Sequence, residues 1–232
     1  MVPSQATYAI DPDLGSLAEK GRIALLLTKA GQEPRLNYDA QMIRPAISDD
    51  ALEAVPLILE AIGSIAYVLT GTSVLAEAMS ILESFFEQED NRVSYKNTLV
   101  IEESETGVGD RTIVGVAISY DGTVARELDE PLEEAARLKC GLSDYSIPTE
   151  AEPDEYYLDT VSVNRNYQGQ GIGRQLIEAV CEQGRQLGRN RVGLLVDVTN
   201  PDAKRLYERL QFRVNKRREL AGEEYFHMLR GL

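Results

Sequence analysis

The stretch YYLDTVSVNRNYQGQGIGR, residues 156–174, decides the fold. Its first eight residues are rich in aromatic and β-branched side chains, which is typical of a strand, and its glycines then form a turn. Beyond the turn, Leu176, Ile177 and Val180 repeat with helical spacing. The first N–H groups of a helix have no internal partner and carry the positive end of the helix dipole. This order of elements therefore predicts a loop that binds a pyrophosphate, with Arg174 adding positive charge.

The rest of the chain predicts an α/β fold around this stretch. From the strand onward, the elements alternate and end in two strands: strand 155–163, helix 173–187, strand 191–198, helix 202–210, and strands 212–220 and 224–229. Upstream, we expect strand 42–44, a helix starting near Asp49, a helix at 73–88, strands 98–102 and 112–119, and a helix at 131–139 with Pro131 in its first turn. This order predicts one sheet with antiparallel pairing at its end and helices on its faces.

Two segments stand apart from that pattern. Residues 1–40, with a predicted helix at 16–30, form a helical N-terminal extension, and residues 41–232 form the main domain. The polar, acidic stretch at about 121–154 is long for a connection. It reads as an insertion of the kind that forms a lid or surface decoration.

Composition narrows the function classes. The 232 residues carry a net charge of −14, which repels nucleic-acid backbones, so we expect no nucleic-acid partner. Residues 121–159 hold twelve acidic and three basic side chains, whereas residues 164–232 hold eight acidic and thirteen basic ones. No apolar run approaches the roughly 18 residues that span a bilayer, and the N-terminus lacks the pattern of a signal peptide. We therefore expect a cytoplasmic protein with no membrane partner.

The scarcity of histidine and cysteine disfavours metal and thiol chemistry. His227 is the only histidine, and no glycine-flanked nucleophile matches it, so we expect a strand or surface histidine. Cys140 and Cys181 are far apart in the sequence and lack CxxC spacing, so neither a zinc site nor a disulfide framework is predicted. We expect no metal.

A nicotinamide dinucleotide site is an alternative interpretation of the glycine loop. That fingerprint needs GxGxxG and an acidic residue about 20 positions further on, a place that Asp197 only approximates. The loop here reads GQGIG, without a third glycine at the required spacing, and too little chain follows for a doubly wound domain. A nicotinamide-dependent oxidoreductase is therefore the weaker hypothesis.

Two motifs resemble the GNAT superfamily of acyl-CoA-dependent N-acyltransferases. The loop QGQGIG at 168–173 matches the Q/R-x-x-G-x-G/A motif, and the strand before it resembles the one whose bulge opens the sheet of that family. Residues 200–212, NPDAKRLYERLQF, resemble the motif N-x-x-A-x-x-L-Y-x-x-x-G-F, with Gln211 in place of the usual glycine. The resemblance covers about residues 41–232. It implies a mixed, mostly antiparallel sheet flanked by helices and splayed at the strand before the glycine loop.

The resemblance implies a role for each matching position. The backbone of Val161 and Val163 would hydrogen-bond the pantetheine arm of acetyl-CoA as if it were an added strand. The pyrophosphate would bind to the loop and the first helical turn, which comprise Gln168, Gly169, Gln170, Gly171, Ile172, Gly173 and Arg174. Asn200 would contact the cofactor near its thiol, Lys204 would contact a cofactor phosphate, and Tyr207 would donate a proton to the departing thiolate.

The reaction also needs a group that removes a proton from the amine. An amine attacks a thioester only when neutral, and a free alkylammonium has a pKa of about 10.4. Either a carboxylate, often through water, or desolvation of the bound amine removes this proton. Strict alternation along the strand places five residues on one face: Glu155, Tyr157, Asp159, Val161 and Val163.

Glu155 and Asp159 are therefore the candidate catalytic carboxylates. We favour Glu155 as the base, because its spacing before Val163 resembles that of family members with a glutamate base, and Asp159 then orients the amine. The alternative is that these carboxylates only fix the sheet or are solvated.

The predicted function is direct transfer of an acetyl group from acetyl-CoA to a primary amine, without a covalent enzyme intermediate. Acidic groups between Glu150 and Asp159 favour a cationic acceptor, either a small amine or a peptide N-terminus. The alternative from another class is a non-catalytic acyl-CoA-binding or regulatory module. A homodimer is expected from the resemblance alone.

Overall fold

The computed structural model describes residues 25–26, 35–38, 41–103, 111–220 and 222–232. Within these ranges, nine strands form one sheet in the order β1-β2-β3-β4-β5-β6-β7-β9-β8. The strands are β1 (Leu25–Leu26), β2 (Arg35–Tyr38), β3 (Gln41–Pro45), β4 (Thr98–Glu103), β5 (Thr112–Asp121), β6 (Tyr156–Val163), β7 (Arg191–Asp197), β8 (Arg213–Leu220) and β9 (Glu223–Gly231). The helices are α1 (Ala51–Ile62), α2 (Ile65–Thr70), α3 (Leu75–Phe86), α4 (Ala125–Cys140), α5 (Ile172–Gln186) and α6 (Pro201–Arg209).

The pairing of the strands confirms the predicted mixed, mostly antiparallel sheet. Every neighbouring pair is antiparallel except β6 and β7, which run parallel. One buried apolar cluster joins α5 and α6 to one face of the sheet, and a second joins α1 to α4 to the other face. None of the helices in the described part of the chain combines the length and the apolar character that a bilayer crossing requires.

A β-bulge at Asp159 divides β6 into two parts. Against β5, the register steps from Thr160 opposite Ile118 to Leu158 opposite Ser119, so Asp159 is one extra residue. A bulge interrupts the alternation of side chains between the two faces. The predicted bulge in this strand is therefore present, and it changes which face of the sheet the side chains after Asp159 occupy.

The prediction that Glu155, Tyr157, Asp159, Val161 and Val163 share one face is wrong. Tyr157 packs in the cluster of α1 to α4, whereas Val161 and Val163 pack in the cluster of α5. The physical reason is the extra residue, which shifts the period of two by one position between the two ends of the strand. Glu155 itself lies one residue before β6 begins.

The acidic insertion is more regular than its composition indicates. Helix α4 starts at Ala125, so Pro131 lies inside it and not in its first turn, which corrects that prediction. A proline supplies no N–H and displaces the preceding turn. The carbonyl of Leu128 here accepts a hydrogen bond from the backbone N–H of Arg92 (3.1 Å), which ties α4 to the segment after α3.

The other predicted elements are present with small shifts at their ends, and β2 and α2 were not predicted. The predicted helix at 16–30 is wrong at Leu25–Leu26, which is a strand that pairs with β2. The other residues of that predicted helix lie outside the described residues, and the helical extension stays a prediction.

Candidate active site

A gap opens between β6 and β7 beyond their paired end. The two strands pair only at Tyr156 opposite Val192 and Tyr157 opposite Gly193, and β6 continues for six more residues without β7. On its other side β6 stays paired with β5 as far as Val163. A wedge therefore separates the two strands over the carboxyl half of β6.

The backbone groups of Val161 and Val163 face this gap. The N–H of Asn164 donates to the carbonyl of Val114 on the β5 side (2.9 Å). In an antiparallel ladder, alternate residues point their N–H and C=O to the same neighbour, so Ser162 and Thr160 also point to β5. Val161 and Val163 point the opposite way, to the side of β7. This is the edge along which an extended ligand adds as a strand.

The glycine loop follows directly at the end of that edge. Gly169 (φ 81°) and Gly171 (φ 80°) adopt the left-handed conformation that side-chain-bearing residues avoid. The amide Nε2 of Gln168 donates to the carbonyl of Val163 (3.1 Å), which ties the loop to the strand. Gly171 then caps α5, and an added Cβ at Gly171 would meet nothing within 4 Å.

The first turn of α5 opens beside this loop. The N–H groups of Ile172, Gly173 and Arg174 have no partner within the helix, and the helix dipole adds positive potential there. The Arg174 side chain is exposed at the same end. Backbone donors, partial positive charge and open space beside Gly171 suit a phosphate or pyrophosphate.

Helix α6 starts at the end of β7 that lines the gap. Asn200 caps it: its Oδ1 accepts from the N–H of Ala203 (3.0 Å). Lys204, one turn further on, pairs with Glu208 (2.5 Å) and lies 5.6 Å from the ring of Phe226. Both residues lie in the predicted motif. Lys204 reaches a cofactor phosphate only if its pair with Glu208 opens.

Tyr207 is buried on α6, in the same cluster as Val161 and Val163. The helix ends in a Schellman motif, in which Phe212 N–H donates to the Tyr207 carbonyl (2.9 Å) and Gln211 N–H donates to the Glu208 carbonyl (3.1 Å). The rings of Tyr207 and Phe212 meet edge to face, with centroids 5.8 Å apart. Burial raises the pKa of Tyr207, and its hydroxyl makes no hydrogen bond to any described residue. A protonated phenol without an internal partner is available to donate to a ligand.

A buried charged cluster, which we call the Arg92 cluster, occupies the opposite face of β6. The guanidinium of Arg92, only 3% exposed, lies 2.5 Å from Asp159, 2.7 Å from Glu150 and 3.3 Å from Asp129. The hydroxyl of Tyr120 also donates to Asp159 (2.8 Å), and the hydroxyl of Tyr157 donates to Glu150 (2.8 Å). One guanidinium therefore faces three carboxylates from three separate segments.

Burial decides the ionisation of this cluster. It raises the pKa of Asp129 to about 6, and the neighbouring carboxylates add to the shift while Arg92 opposes it. Burial also raises the pKa of Tyr120 and of Tyr157 well above the ordinary value. The surplus of negative charge is thus relieved by protonation of Asp129 as the pH falls.

Glu155, the favoured base, is withdrawn from the gap. Its side chain is fully buried beside the paired end of β6 and β7, and Oε2 lies 2.9 Å from Nε2 of His227. Oε1 accepts from the backbone N–H of Glu152 (2.9 Å). A Cβ at Gly193 would overlap the carboxylate, so the glycine makes room for it. The only histidine is therefore a buried strand residue paired with Glu155.

The structure thus brings together most, but not all, of the predicted site residues. The gap edge, the glycine loop and α6 converge on one region, while Glu155 lies at the closed end of the strand pair. The link between Asp159 and Arg92 was missed, because the three carboxylates of the Arg92 cluster lie 37 to 67 positions after Arg92 in the sequence. The only local signal was the density of acidic residues around Glu150 and Asp159.

Comparisons with known proteins agree with this geometry. The sequence model of the acetyltransferase (GNAT) family matches residues 75–212. A crystal structure of an acetyltransferase is 30% identical, with 82% of this chain and 98% of that chain covered and a TM-score of 0.65. An N-acetyltransferase from Staphylococcus aureus Mu50 is 23% identical, with 82% and 100% covered and a TM-score of 0.61. Ard1 from Thermoplasma volcanium is 15% identical, with 83% and 98% covered and a TM-score of 0.50. No curated protein matches the sequence significantly.

Proposed function

The chain belongs to the acetyltransferase (GNAT) family, as the two motifs indicated, and from that premise we propose that it transfers an acetyl group from acetyl-CoA to a primary amine. The amine attacks the thioester directly, a tetrahedral intermediate forms, and coenzyme A leaves as the thiol. The observation that carries this proposal is the gap between β6 and β7, which opens onto the glycine loop at the N-terminus of α5.

The gap supports the binding of an extended cofactor arm. The N–H and C=O of Val161 and the N–H of Val163 face it and offer the hydrogen bonds of a missing strand. The pyrophosphate then lies against the backbone of residues 168–174, where the helix dipole favours an anion. Asn200 borders the gap at the start of α6, near where the thiol end of the cofactor would lie.

Tyr207 is the proposed acid. As the thioester breaks, negative charge develops on the sulfur, and a buried hydroxyl donor stabilises it. The same burial that raises the pKa of Tyr207 also disfavours a free thiolate, so the proton passes to sulfur as the C–S bond breaks. The tyrosinate then regains a proton through water from the nitrogen that attacked the thioester, which balances the transfer. The hydroxyl is available for this role because it has no hydrogen-bond partner among the described residues.

Asp159, and not Glu155, is the carboxylate that we place beside the amine. A carboxylate offers about four acceptor positions. Oδ2 of Asp159 already accepts from Arg92 and Tyr120, while among the described residues Oδ1 accepts only from Thr160 Oγ1 (2.8 Å). Oδ1 therefore has one position left for an N–H of the acceptor. Asp159 orients the amine, which loses its proton to water or on desolvation.

A cationic acceptor suits the charge on this side of the sheet. The three carboxylates of the Arg92 cluster outnumber its guanidinium, and Glu150 keeps 19% of its side chain exposed. Favourable charge speeds the encounter with a polyamine, an aminoglycoside-like amine or the N-terminus of a basic peptide. The acceptor class is therefore a small cationic amine or a basic peptide.

Calorimetric titration with acetyl-CoA, followed by a thiol-release assay, tests the proposal. We expect binding of acetyl-CoA and, with an amine present, release of one thiol per acetylated product. Absence of binding at millimolar cofactor contradicts the proposal outright. Binding without transfer to any amine points to a non-catalytic acyl-CoA-binding module.

An amine panel tests the acceptor class separately. We expect spermidine and a peptide with a basic N-terminus to react faster than a neutral or an acidic peptide of equal length. Added salt should reduce this preference, because exposed charges are screened at high ionic strength. A preference for neutral or acidic acceptors would overturn the cationic assignment while leaving acetyl transfer intact.

A further inference from the structure

Arg92 is the most heavily engaged charged side chain on the acceptor side of β6. It follows α3, far from either family motif, yet its guanidinium reaches α4, the segment before β6 and β6 itself. Both Nε (3.0 Å) and Nη2 (2.5 Å) donate to the same oxygen of Asp159. A buried guanidinium is costly unless its partners are well placed. The fold therefore holds Arg92 in a precise position.

The partner of Arg92 is the bulged residue itself. Asp159 is the one residue of β6 without an opposite number on β5. It separates the end of β6 that pairs with β7 from the end whose backbone faces the gap. Tyr120, on β5, donates to the same carboxylate oxygen. Asp159 is therefore bound by Arg92, in the segment after α3, and by Tyr120, on the neighbouring strand.

The position of the Asp159 side chain affects the backbone of Val161 and Val163 that faces the gap, which we call the cofactor edge. The bulge sets which backbone groups of the following residues point to β5 and which point to the gap. If Asp159 leaves its place, the strand can slip by one residue, and Ser162 would then present its N–H where Val161 and Val163 do now. Fixing the carboxylate fixes the register of the cofactor edge.

We propose that Arg92 is a positioning residue for the cofactor: by binding Asp159 it fixes the bulge that turns Val161 and Val163 toward the gap. This inference rests on the proposed function, because cofactor binding is what it predicts. Arg92 acts through Asp159 and not through contact with the ligand. The proposal adds a residue outside both motifs to the determinants of cofactor affinity.

The test compares Arg92→Lys and Asp159→Asn by calorimetric titration with coenzyme A, without acetyl group or acceptor. Arg92→Lys keeps the charge but loses the two-nitrogen grip, and Asp159→Asn keeps the shape but loses the charge. We expect each variant to raise the dissociation constant about tenfold, the loss that follows when about one backbone hydrogen bond to the ligand is misaligned. The double variant should be little worse than either single one, because both changes break the same contact.

Arg126→Lys is the matched control. Arg126 also binds a fully buried carboxylate on this side of the sheet, that of Glu133 (2.5 Å), but within α4 and away from β6. Arg126→Lys should lower the thermal midpoint without changing the dissociation constant.

If the wild type fails to bind coenzyme A, the proposed function is wrong. If the wild type binds and both Asp159→Asn and Arg92→Lys lower only the thermal midpoint, Arg92 is purely structural and the inference is overturned. Should Arg92→Lys not fold, Asp159→Asn decides alone.

Discussion

The two faces of β6 differ in chemistry: one is apolar and the other carries buried charges. On the face toward α5 and α6, the strand contributes Val161 and Val163 to an apolar cluster, and the proposed function there depends on backbone groups and on Tyr207. On the face toward α1 to α4, the same strand contributes Asp159 to a network of buried charges. A single extra residue makes this possible, because the bulge places Asp159 and Val161, two positions apart, on opposite faces, whereas a regular strand would place them on the same face.

The difference shows what a binding site requires of a sequence. Recognition by the backbone needs only a strand, glycines at two positions and the start of a helix, so one continuous stretch of sequence, residues 156–174, contains all of it. Charge recognition needs side chains from several segments, which only the folded chain brings together. The predictions that follow separate the two faces, and each variant is aimed at one of them.

Tyr207→Phe tests the apolar face and should have the largest effect. Removing the hydroxyl removes the proposed acid, and general acid catalysis contributes about 10²–10⁴-fold to a rate. We expect kcat to fall at least about a hundredfold with little change in cofactor affinity. The thermal midpoint should stay the same or rise, because the hydroxyl has no partner among the described residues. Steady-state kinetics and calorimetry measure both.

Tyr156→Phe is the control for that experiment. Tyr156 is equally buried at the paired end of β6, where its hydroxyl meets Ser119 (3.1 Å). Its loss should cost about 1 kcal/mol of stability and leave kcat unchanged. Equal turnover in Tyr207→Phe and the wild type would remove Tyr207 from the acid role.

Asp129→Asn tests the charged face through pH. Burial raises the pKa of Asp129 from 3.8 to about 6, so the folded protein binds this proton more tightly than the unfolded chain does. The stabilisation is complete below pH 3.8 and is lost as the pH rises through about 6. Between pH 4 and pH 7 the wild type should lose about 2 kcal/mol more stability than Asp129→Asn, at about 1.4 kcal/mol per pKa unit. Urea unfolding at both pH values measures this difference.

Equal pH dependence in the two proteins would show that Asp129 is ionised throughout. That result would also mean that the attraction of Arg92 offsets the effect of burial on Asp129.

The sequence predicted the apolar face well and the charged face poorly. The order of strands and helices and the glycine loop follow from local patterns, the bulge in β6 was implied by the family resemblance, and the structure contains all three. The shared face of Glu155 and Asp159 was wrong because alternation counts residues and a bulge adds one. Arg92 could not be predicted, because nothing near it in the sequence marks it and its partners meet it only through the packing of α4 and β6.

Gly171→Ala against Gly173→Ala tests the loop at the end of the apolar face. Gly171 has a φ of 80°, so an alanine there is strained by about 1–2 kcal/mol, and the loop must shift to relieve it. Gly173 is helical, and its added Cβ would lie 3.7 Å from Val163, an ordinary contact. We expect the dissociation constant for acetyl-CoA to be about ten times larger in Gly171→Ala, because about 1.4 kcal/mol of lost binding free energy is a tenfold change. Gly173→Ala should bind nearly as the wild type does and be slightly more stable. Equal affinities for both variants would mean that the left-handed loop is not part of the cofactor site.

Gln211→Gly tests the helix end that supports Tyr207, and its effect should be the smallest. Gln211 is the one residue other than glycine with a positive φ (71°) in the described part of the chain, because it ends α6 where the family motif has glycine. Left-handed backbone costs such a residue about 1–2 kcal/mol, and glycine relieves that strain. Glycine also loses more conformational freedom on folding, which costs about 0.5–1 kcal/mol and offsets part of the gain. The net stabilisation should be about 0.5 kcal/mol, measured by urea unfolding, with kcat unchanged because the bond from Phe212 to Tyr207 is kept. Gln211→Ala keeps the strain and should show no gain. If Gln211→Gly is instead less stable, the glutamine side chain contributes more to this turn than its backbone costs.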